Sequence, residues 1–177
     1  MPNWCEGSLK LKGKYEDILK FWEEGVNAYS YSANRNNEYG TNLIPKSEWY
    51  EIEEWDNGGA TISNHISSAA WAWIYIEGTK RAFVLEDFCA YNIHKLENGM
   101  AIMALPFKQA WTILENDWIE LAEKYHLEIK IWTVESGMGF WCTFHVLPDG
   151  VILEDDCHQS TDYNDFIWNC PLPWMGG

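Results

Sequence analysis

The sequence predicts an α+β fold, a split β-α-β antiparallel sheet with its helices on one face and an inserted middle region. Three patterns point there: a strand that leads into a helix within residues 4–26, a helix that leads into a meander within residues 112–154, and between them a stretch without one dominant period. With 177 residues, 47% of them hydrophobic, the chain is long enough to bury a core without metals or disulfides, and residues 1–177 read as a single domain. Its 12 Trp, 9 Tyr and 7 Phe mean that this core is built from large rings.

Each element follows from its spacing. Cys5, Gly7, Leu9 and Leu11 alternate with Glu6, Ser8, Lys10 and Lys12, the signature of a half-buried strand. After Gly13, Tyr15, Ile18, Leu19, Trp22 and Val26 recur at helical spacing, and Gly25 marks the stop. Residues 27–47, rich in Asn and carrying Pro45, read as a long loop. Residues 49–55 are acidic and aromatic by turns, and Asp56-Asn57-Gly58-Gly59 supplies the turn of a hairpin whose second strand spans 60–66. Residues 71–76 read as a strand, 81–88 fit either type, and 27–100 as a whole is an insertion or an elaborated hairpin region. An extended run covers 101–110. Thr112 and Glu115 have the spacing of a capping box, which predicts a helix over 113–125 with the stripe Leu114, Trp118, Leu121, Ala122 and Tyr125. Residues 127–134, 140–147 and 151–154 then read as strands, separated by turns at 136–139 and at Pro148-Asp149-Gly150. This is the succession of a ferredoxin-like sheet, in which the strands at 4–12, 127–134 and 140–147 lie together and both helices cover the same face.

Net charge sets the first functional limit. Twelve Lys and Arg against 27 Asp and Glu leave −15 at pH 7, and residues 131–177 contain no Lys or Arg while carrying Glu135, Asp149, Glu154, Asp155, Asp156, Asp162 and Asp165. Phosphate backbones and anionic membranes repel such a chain, because nucleic-acid binders need cations to displace condensed counterions. Neither direct nucleic-acid binding nor membrane binding is expected. No apolar run reaches bilayer length and the amino terminus lacks the segments of a signal peptide, so the expected location is the cytoplasm. Five cysteines, Cys5, Cys89, Cys142, Cys157 and Cys170, form an odd set without a C-x-x-C pair. They predict reduced, mostly buried thiols instead of a disulfide framework or a zinc knuckle.

Candidate chemistry is weighed by spacing. Glu154-Asp155-Asp156-Cys157-His158, with Asp162 and Asp165, offers donors for a divalent metal, but it matches neither an EF-hand nor a zinc finger and reads more simply as a solvated acidic loop. Cys142 and His145 fall on opposite faces of one strand, which separates any Cys–His nucleophile pair. Gly58-Gly59 and Gly137-Met138-Gly139 are turns, not phosphate loops. Trp111, Trp132 and Trp141 suggest a stacking platform, yet the basic rim that an RNA-binding sheet needs is missing from the local sequence. No catalytic residue, metal or cofactor is assigned. The acidic aromatic stretch 49–56 stands out: as a strand it places Glu51, Glu53 and Trp55 on one face and Tyr50, Ile52, Glu54 and Asp56 on the other. Its rings supply contact area and its carboxylates can meet Arg or Lys, while the same pattern also suits an edge strand guarded against aggregation.

The opening Pro2-Asn3-Trp4-Cys5, followed by the strand ending Leu9, Leu11 and Gly13, resembles that of the Api92-like, or YubB-like, phage and plasmid proteins. The helix at 118–125 running into 127–132, then Glu135-Ser136-Gly137-Met138-Gly139-Phe140 and the Asp149-Gly150 turn, resembles that family's carboxyl-terminal pattern. Ala110-Trp111 stands where the family carries Ala-Trp before a helix that begins with prolines, here replaced by Ile113 and Leu114. The segment Ile76-Glu77-Gly78-Thr79-Lys80 echoes the family's central tryptophan and glycine segment only faintly, which leaves 27–100 outside the resemblance. The resemblance implies a ferredoxin-like domain encoded by phages or conjugative elements, among accessory genes that commonly act against host defences; it carries no enzymatic activity or cofactor. The expected function is that of an acidic protein that inhibits a host nucleic-acid enzyme, a CRISPR effector of the Cas9 type first, by occupying its cationic groove. Glu51, Glu53, Glu54, Trp55 and Asp56, with Glu154, Asp155, Asp156, Asp162 and Asp165, are the candidate contact residues. The alternatives are a metal-dependent hydrolase or nuclease using the 154–165 cluster, and an RNA- or nucleotide-binding sheet.

Overall fold

Alternation leaves Cys5, Leu9, Leu11 and Gly13 on one side of the first strand, and that side is buried. In the computed structural model, which describes residues 3–33, 39–66, 72–85, 89–160, 162, 164 and 166, except for the side chains of 32, 33 and 39, this strand is β1 (Trp4–Lys14). It runs into α1 (Tyr15–Gly25), whose Ile18, Phe21 and Trp22 share one helical face and are all buried. The chain continues as β2 (Val26–Ala33), β3 (Tyr39–Leu43), the single turn α2 (Lys46–Trp49), β4 (Tyr50–Glu54) and β5 (Ala60–Asn64). Then come β6 (Ala72–Ile76), β7 (Ala82–Val84), β8 (Ala90–Lys95) and β9 (Met100–Ala110). After α3 (Glu115–Tyr125), the strands β10 (Glu128–Glu135), β11 (Phe140–Val146) and β12 (Ile152–Gln159) close the described fold.

The 12 strands of the described residues join one antiparallel sheet. Its path runs β12-β11-β10-β1-β9, with β1 pairing β9 along its whole length, Trp4 opposite Ala110 and Lys14 opposite Met100. At β9 the sheet forks: residues 101–103 pair with β8, which leads to β5 and β4, while residues 107–109 pair with β7, which leads to β6, β2 and β3. Pro106, with no N–H to donate, sits at the fork, where its carbonyl accepts from Leu85 at 3.0 Å. Both α1 and α3 pack on one face and meet each other through Phe21 and Tyr125, edge-on at 5.4 Å. Trp22 joins this layer to the forked middle region, with ring centroids 5.5 Å from Trp49, 5.8 Å from Tyr50 and 5.4 Å from Tyr91. Each such ring pair contributes about 0.5–1.5 kcal/mol beyond its area burial. One hydrophobic cluster therefore reaches from β1 to β8 and β11.

Several expectations are corrected. The loop expected over 27–47 gives way, in its described residues, to β2, β3 and the start of α2, because Val26 and Ala28 alternate into the core and β2 pairs with β6 on one side and β3 on the other; residues 34–38 lie outside the described residues. Trp49 ends α2 and is buried, so the expected hairpin begins one residue later, at Tyr50, and pairs β4 with β5 from Tyr50 opposite Asn64 to Glu54 opposite Ala60. The strand expected at 71–76 is β6, the undecided segment 81–88 contains the strand β7, and residues 67–71 and 86–88 lie outside the described residues. The capping box does not form: α3 starts at Glu115 behind Leu114, without a side-chain cap. Trp111 adopts φ 75° and donates its N–H to Asn3, which turns the chain through 112–114 before the helix can begin. The acidic segment after Leu153 is not a loop but most of β12, paired in register with β11 from Glu154 opposite His145 to Gln159 opposite Phe140. An outermost strand tolerates carboxylates because its outer edge and much of both faces meet water.

The thiols are corrected too. Cys142 and Cys157 stand opposite each other in β11 and β12 and form a disulfide across 15 residues of sequence. Nothing in the one-dimensional spacing announces it, since it depends on the register of two strands. Cys5 is a buried free thiol and Cys89 an exposed one, while Cys170 lies outside the described residues. Among the described residues, no helix is long and apolar enough to cross a membrane.

Candidate macromolecule-binding site

Strand alternation distributes the predicted contact residues. In β4, Glu51 and Glu53 are exposed on the face away from the helices, and Trp55 just beyond the strand joins them. Trp55 is less free than its sequence suggests: its indole donates to Thr61 at 3.0 Å and its ring lies edge-on to His94 at 5.6 Å. Glu54 turns to the helix side, where it accepts from the Tyr15 hydroxyl at 3.4 Å, and Asp56 is exposed in the hairpin turn. Among the described residues β4 pairs with β5 alone, so it is an edge strand, where carboxylates oppose pairing with another edge.

The second group is split by β12. Glu154 and Asp156 share the helix-free face with His145 and Thr143, whereas Asp155 and Cys157 lie on the helix side. There the charge of Asp155 holds the Glu115 carboxyl, at the start of α3, above its usual range. Lys130 reaches Glu154 at 3.9 Å, while Asp155 and Asp156 have no Lys or Arg partner among the described residues. Asp162 opens a turn in which its carbonyl accepts from Phe166, and Asp165 lies outside the described residues. No group of three His, Cys, Asp or Glu among the described residues could hold a metal ion. His145 is taken up by Glu128 at 2.9 Å, on the face opposite Cys142. Burial acts to raise the Glu128 carboxyl, but hydrogen bonds from Lys12 and His145 outweigh it and hold it below the ordinary range.

The two acidic groups are not brought together. Between β4 and β12 stand β5, β8, β9, β1, β10 and β11. Seven strand spacings place the two edges about 30 Å apart. The sequence did not show what shares the helix-free face with them. On the helix-free face, rings from four strands form a strip: Trp73 stacks on Tyr29 at 6.4 Å, Tyr75 lies 5.5 Å from Phe83, and Phe83 lies 5.6 Å from Trp4. Register puts Lys10, Lys12, Lys108 and Lys130 on this same face. Lys108 stands 5.8 Å over the Trp4 ring and Lys10 5.9 Å over Trp132, a cation–π geometry. The basic groups that seemed missing around the tryptophans are thus present, supplied by β1, β9 and β10. Trp132 and Trp141 share this face and pack against the pair Val134 and Phe166, with the Trp141 ring 6.0 Å from that of Phe166. Trp111 stands apart, 60% exposed beyond the end of β9. A recess of about 140 Å³ opens among Lys10, Lys12, Ile102, Glu128 and Lys130. The lysines are partly neutralised, Lys12 by Glu128 at 2.8 Å and Lys130 by Glu154.

Among the described residues the arrangement offers charge, rings and open strand edges. Against known proteins, no family model, no curated protein and no solved structure matches this chain.

Proposed function

We propose that this chain is an inhibitory binding protein of a phage or other mobile element, of the Api92-like or YubB-like kind, which blocks a host nucleic-acid enzyme by placing carboxylates in its cationic groove. A CRISPR effector of the Cas9 type is the first target to test, and the host cytoplasm is the expected place of action. The observation that carries this reading is β12: an exposed outer strand with Glu154, Asp155 and Asp156 in succession, in a chain whose last Lys or Arg is Lys130. Carboxylates so placed meet Arg and Lys in charge-assisted hydrogen bonds, as phosphates do. The order β10-β1-β9, with α1 after β1 and α3 before β10, supports a ferredoxin-like ancestry in which β7 and β6 separate β9 from β2. Reversing Glu51, Glu53 and Glu54 together, or separately Asp155, Asp156 and Asp162, to Lys is expected to abolish inhibition for at least one set. Like charges facing across an interface cost several kcal/mol, about a hundredfold or more in affinity. The measurement is DNA cleavage by the target with wild type and each folded triple variant, at rising salt. Full inhibition by both variants, with binding indifferent to salt, overturns the proposal.

A second reading rests on Lys10 over Trp132 and Lys108 over Trp4, pairs that suit a stacked base beside its phosphate in single-stranded nucleic acid. Quenching of tryptophan fluorescence by an oligonucleotide at low salt, lost in Lys10→Glu/Lys108→Glu, is the result it requires. The surrounding carboxylates Glu6, Glu128, Glu154 and Asp156 on the same face place it second.

A further inference from the structure

We propose that the outer edge of β12 is a docking edge, on which an extended segment of the partner protein pairs as an added antiparallel strand, and that this segment carries consecutive basic residues followed by apolar ones. The inference deepens the reading above, since it rests on β12 being a contact surface for a cationic partner.

The edge is open and firmly held. Among the described residues β12 pairs with β11 alone, and with eight residues it is longer than the other outer strands, β3 and β4, with five each. An outer strand presents a row of unpaired N–H and C=O groups, a template for another strand. Backbone pairing with β11 along the strand, from Val146 opposite Ile152 to Phe140 opposite Gln159, holds β12 in place whether Cys142 and Cys157 are joined or reduced, so the template is ordered before binding and little further ordering is needed. Side chains then decide what the template accepts. Two copies paired antiparallel about the middle of β12 would set Asp155 against Asp156, and like charges directly opposite are unfavourable. The same carboxylates favour a cationic strand.

Alternation makes the preference specific. Glu154 and Asp156 face one way, and Asp155, near Glu115, faces the other. A strand with basic residues at every second position satisfies only one side; consecutive basic residues satisfy both. Next to the acidic centre, Ile152 and Leu153 are 40% and 56% exposed, with Val151 beside them at 50%. In antiparallel pairing the partner meets Asp156 first and Ile152 last, so its basic residues precede its apolar ones.

The test uses the full-length protein and fluorescein-labelled peptides of one composition: consecutive Lys followed by Val-Thr-Val, the same residues in reverse order, Lys alternating with the others, and the first peptide with its backbone N-methylated at alternate residues. The first is expected to bind about tenfold or more tightly than the other three, to slow amide exchange in β12, and to lose binding to the Asp155→Asn/Asp156→Asn variant. Equal binding of all four peptides, or binding without protection of β12, leaves only diffuse charge attraction and overturns the proposal. So does protection of β12 that grows with protein concentration, which assigns the edge to a second copy. Strong protection, in the dilute free protein, of those β12 amides that point away from β11, which would mean the edge is already paired, also overturns it. Cleavage assays run beside these separate the two ideas: peptide discrimination without any effect of the acidic triple variant on inhibition removes the groove reading and keeps the edge, and the reverse outcome keeps the groove reading alone.

Discussion

Cys5 shows how much a single side chain is decided by its surroundings. It lies fully buried near the start of β1, donates to the Trp111 carbonyl at 3.0 Å, and its thiol is pushed up to about 12, first by burial and then by the charge of Glu135. A folded pKa above the unfolded one means the folded state keeps its proton longer, so the stabilisation is present below pH 9 and is lost as pH rises from 9 towards 12. Denaturant unfolding between pH 8 and 10.5 is expected to show wild type losing stability faster than Cys5→Ala; equal slopes would refute the buried neutral thiol. Tyr29, raised to about 12 chiefly by its hydrogen bond to Glu77, loses stability in the same direction, which is why the comparison between variants is needed. Gly7 is a second such position. A Cβ there would stand 1.9 Å from the Trp132 carbonyl oxygen of β10, a backbone atom that cannot move aside without opening the β1–β10 pairing. Gly7→Ala is expected to cost about 3 kcal/mol, at the upper end for overpacking, read as a lowered denaturant midpoint.

At the scale of elements, β12 is the strand whose attachment a disulfide reinforces. It is outermost, its residues are mostly exposed, and it contributes nothing to the main hydrophobic cluster. A cross-link closing 15 residues adds up to about 3 kcal/mol in the chain-entropy account. Reduction, or Cys142→Ala/Cys157→Ala, is expected to lower stability by no more than that, and to raise amide exchange in β12 well above that in β10. Non-reducing peptide mapping that finds no 142–157 link would sink this expectation. The elements also show where local pattern is enough. β1, α1, β10 and β11 appear within a few residues of their expected bounds, because a half-buried strand or helix must repeat its apolar residues at its own period. β2, β3 and β8 were missed because Asn, Ser and Gly break up their apolar alternation, and β2 and β8 are each completed by a partner distant in sequence, β6 and β5, while β3 pairs with the neighbouring β2.

The whole molecule is organised by one core, although the sheet forks. Trp22 touches Trp49, Tyr50 and Tyr91, so one helix residue joins the β1–β9–β10 centre to the β4–β5–β8 branch. Trp22→Ala is expected to lower stability by about 3–5 kcal/mol, with far-ultraviolet dichroism and tryptophan fluorescence moving together. Separate transitions for the two probes would show that the branch folds by itself. The same large sheet explains why only part of the candidate site was legible. The carboxylates of both edges were identified from the sequence, yet they belong to strands at opposite sides of the sheet; lysines of β1, β9 and β10 lie on the face between them, and a strip of rings leads from β1 along the other branch.

By itself, the sequence determined the class of fold, the aromatic core, the acidic character and the pairs of residues that must point opposite ways along a strand, such as Cys142 and His145. These are local properties: charge is additive, and side-chain direction follows from the period of two. Tertiary structure alone decided that Cys157 stands opposite Cys142, that Lys108 reaches Trp4 while Lys10 reaches Trp132, and that Glu53 and Asp156 lie on separate edges. Each of these depends on which strand lies beside which and in what register. That order is set by the burial of side chains far apart in the chain, and no short-range pattern encodes it.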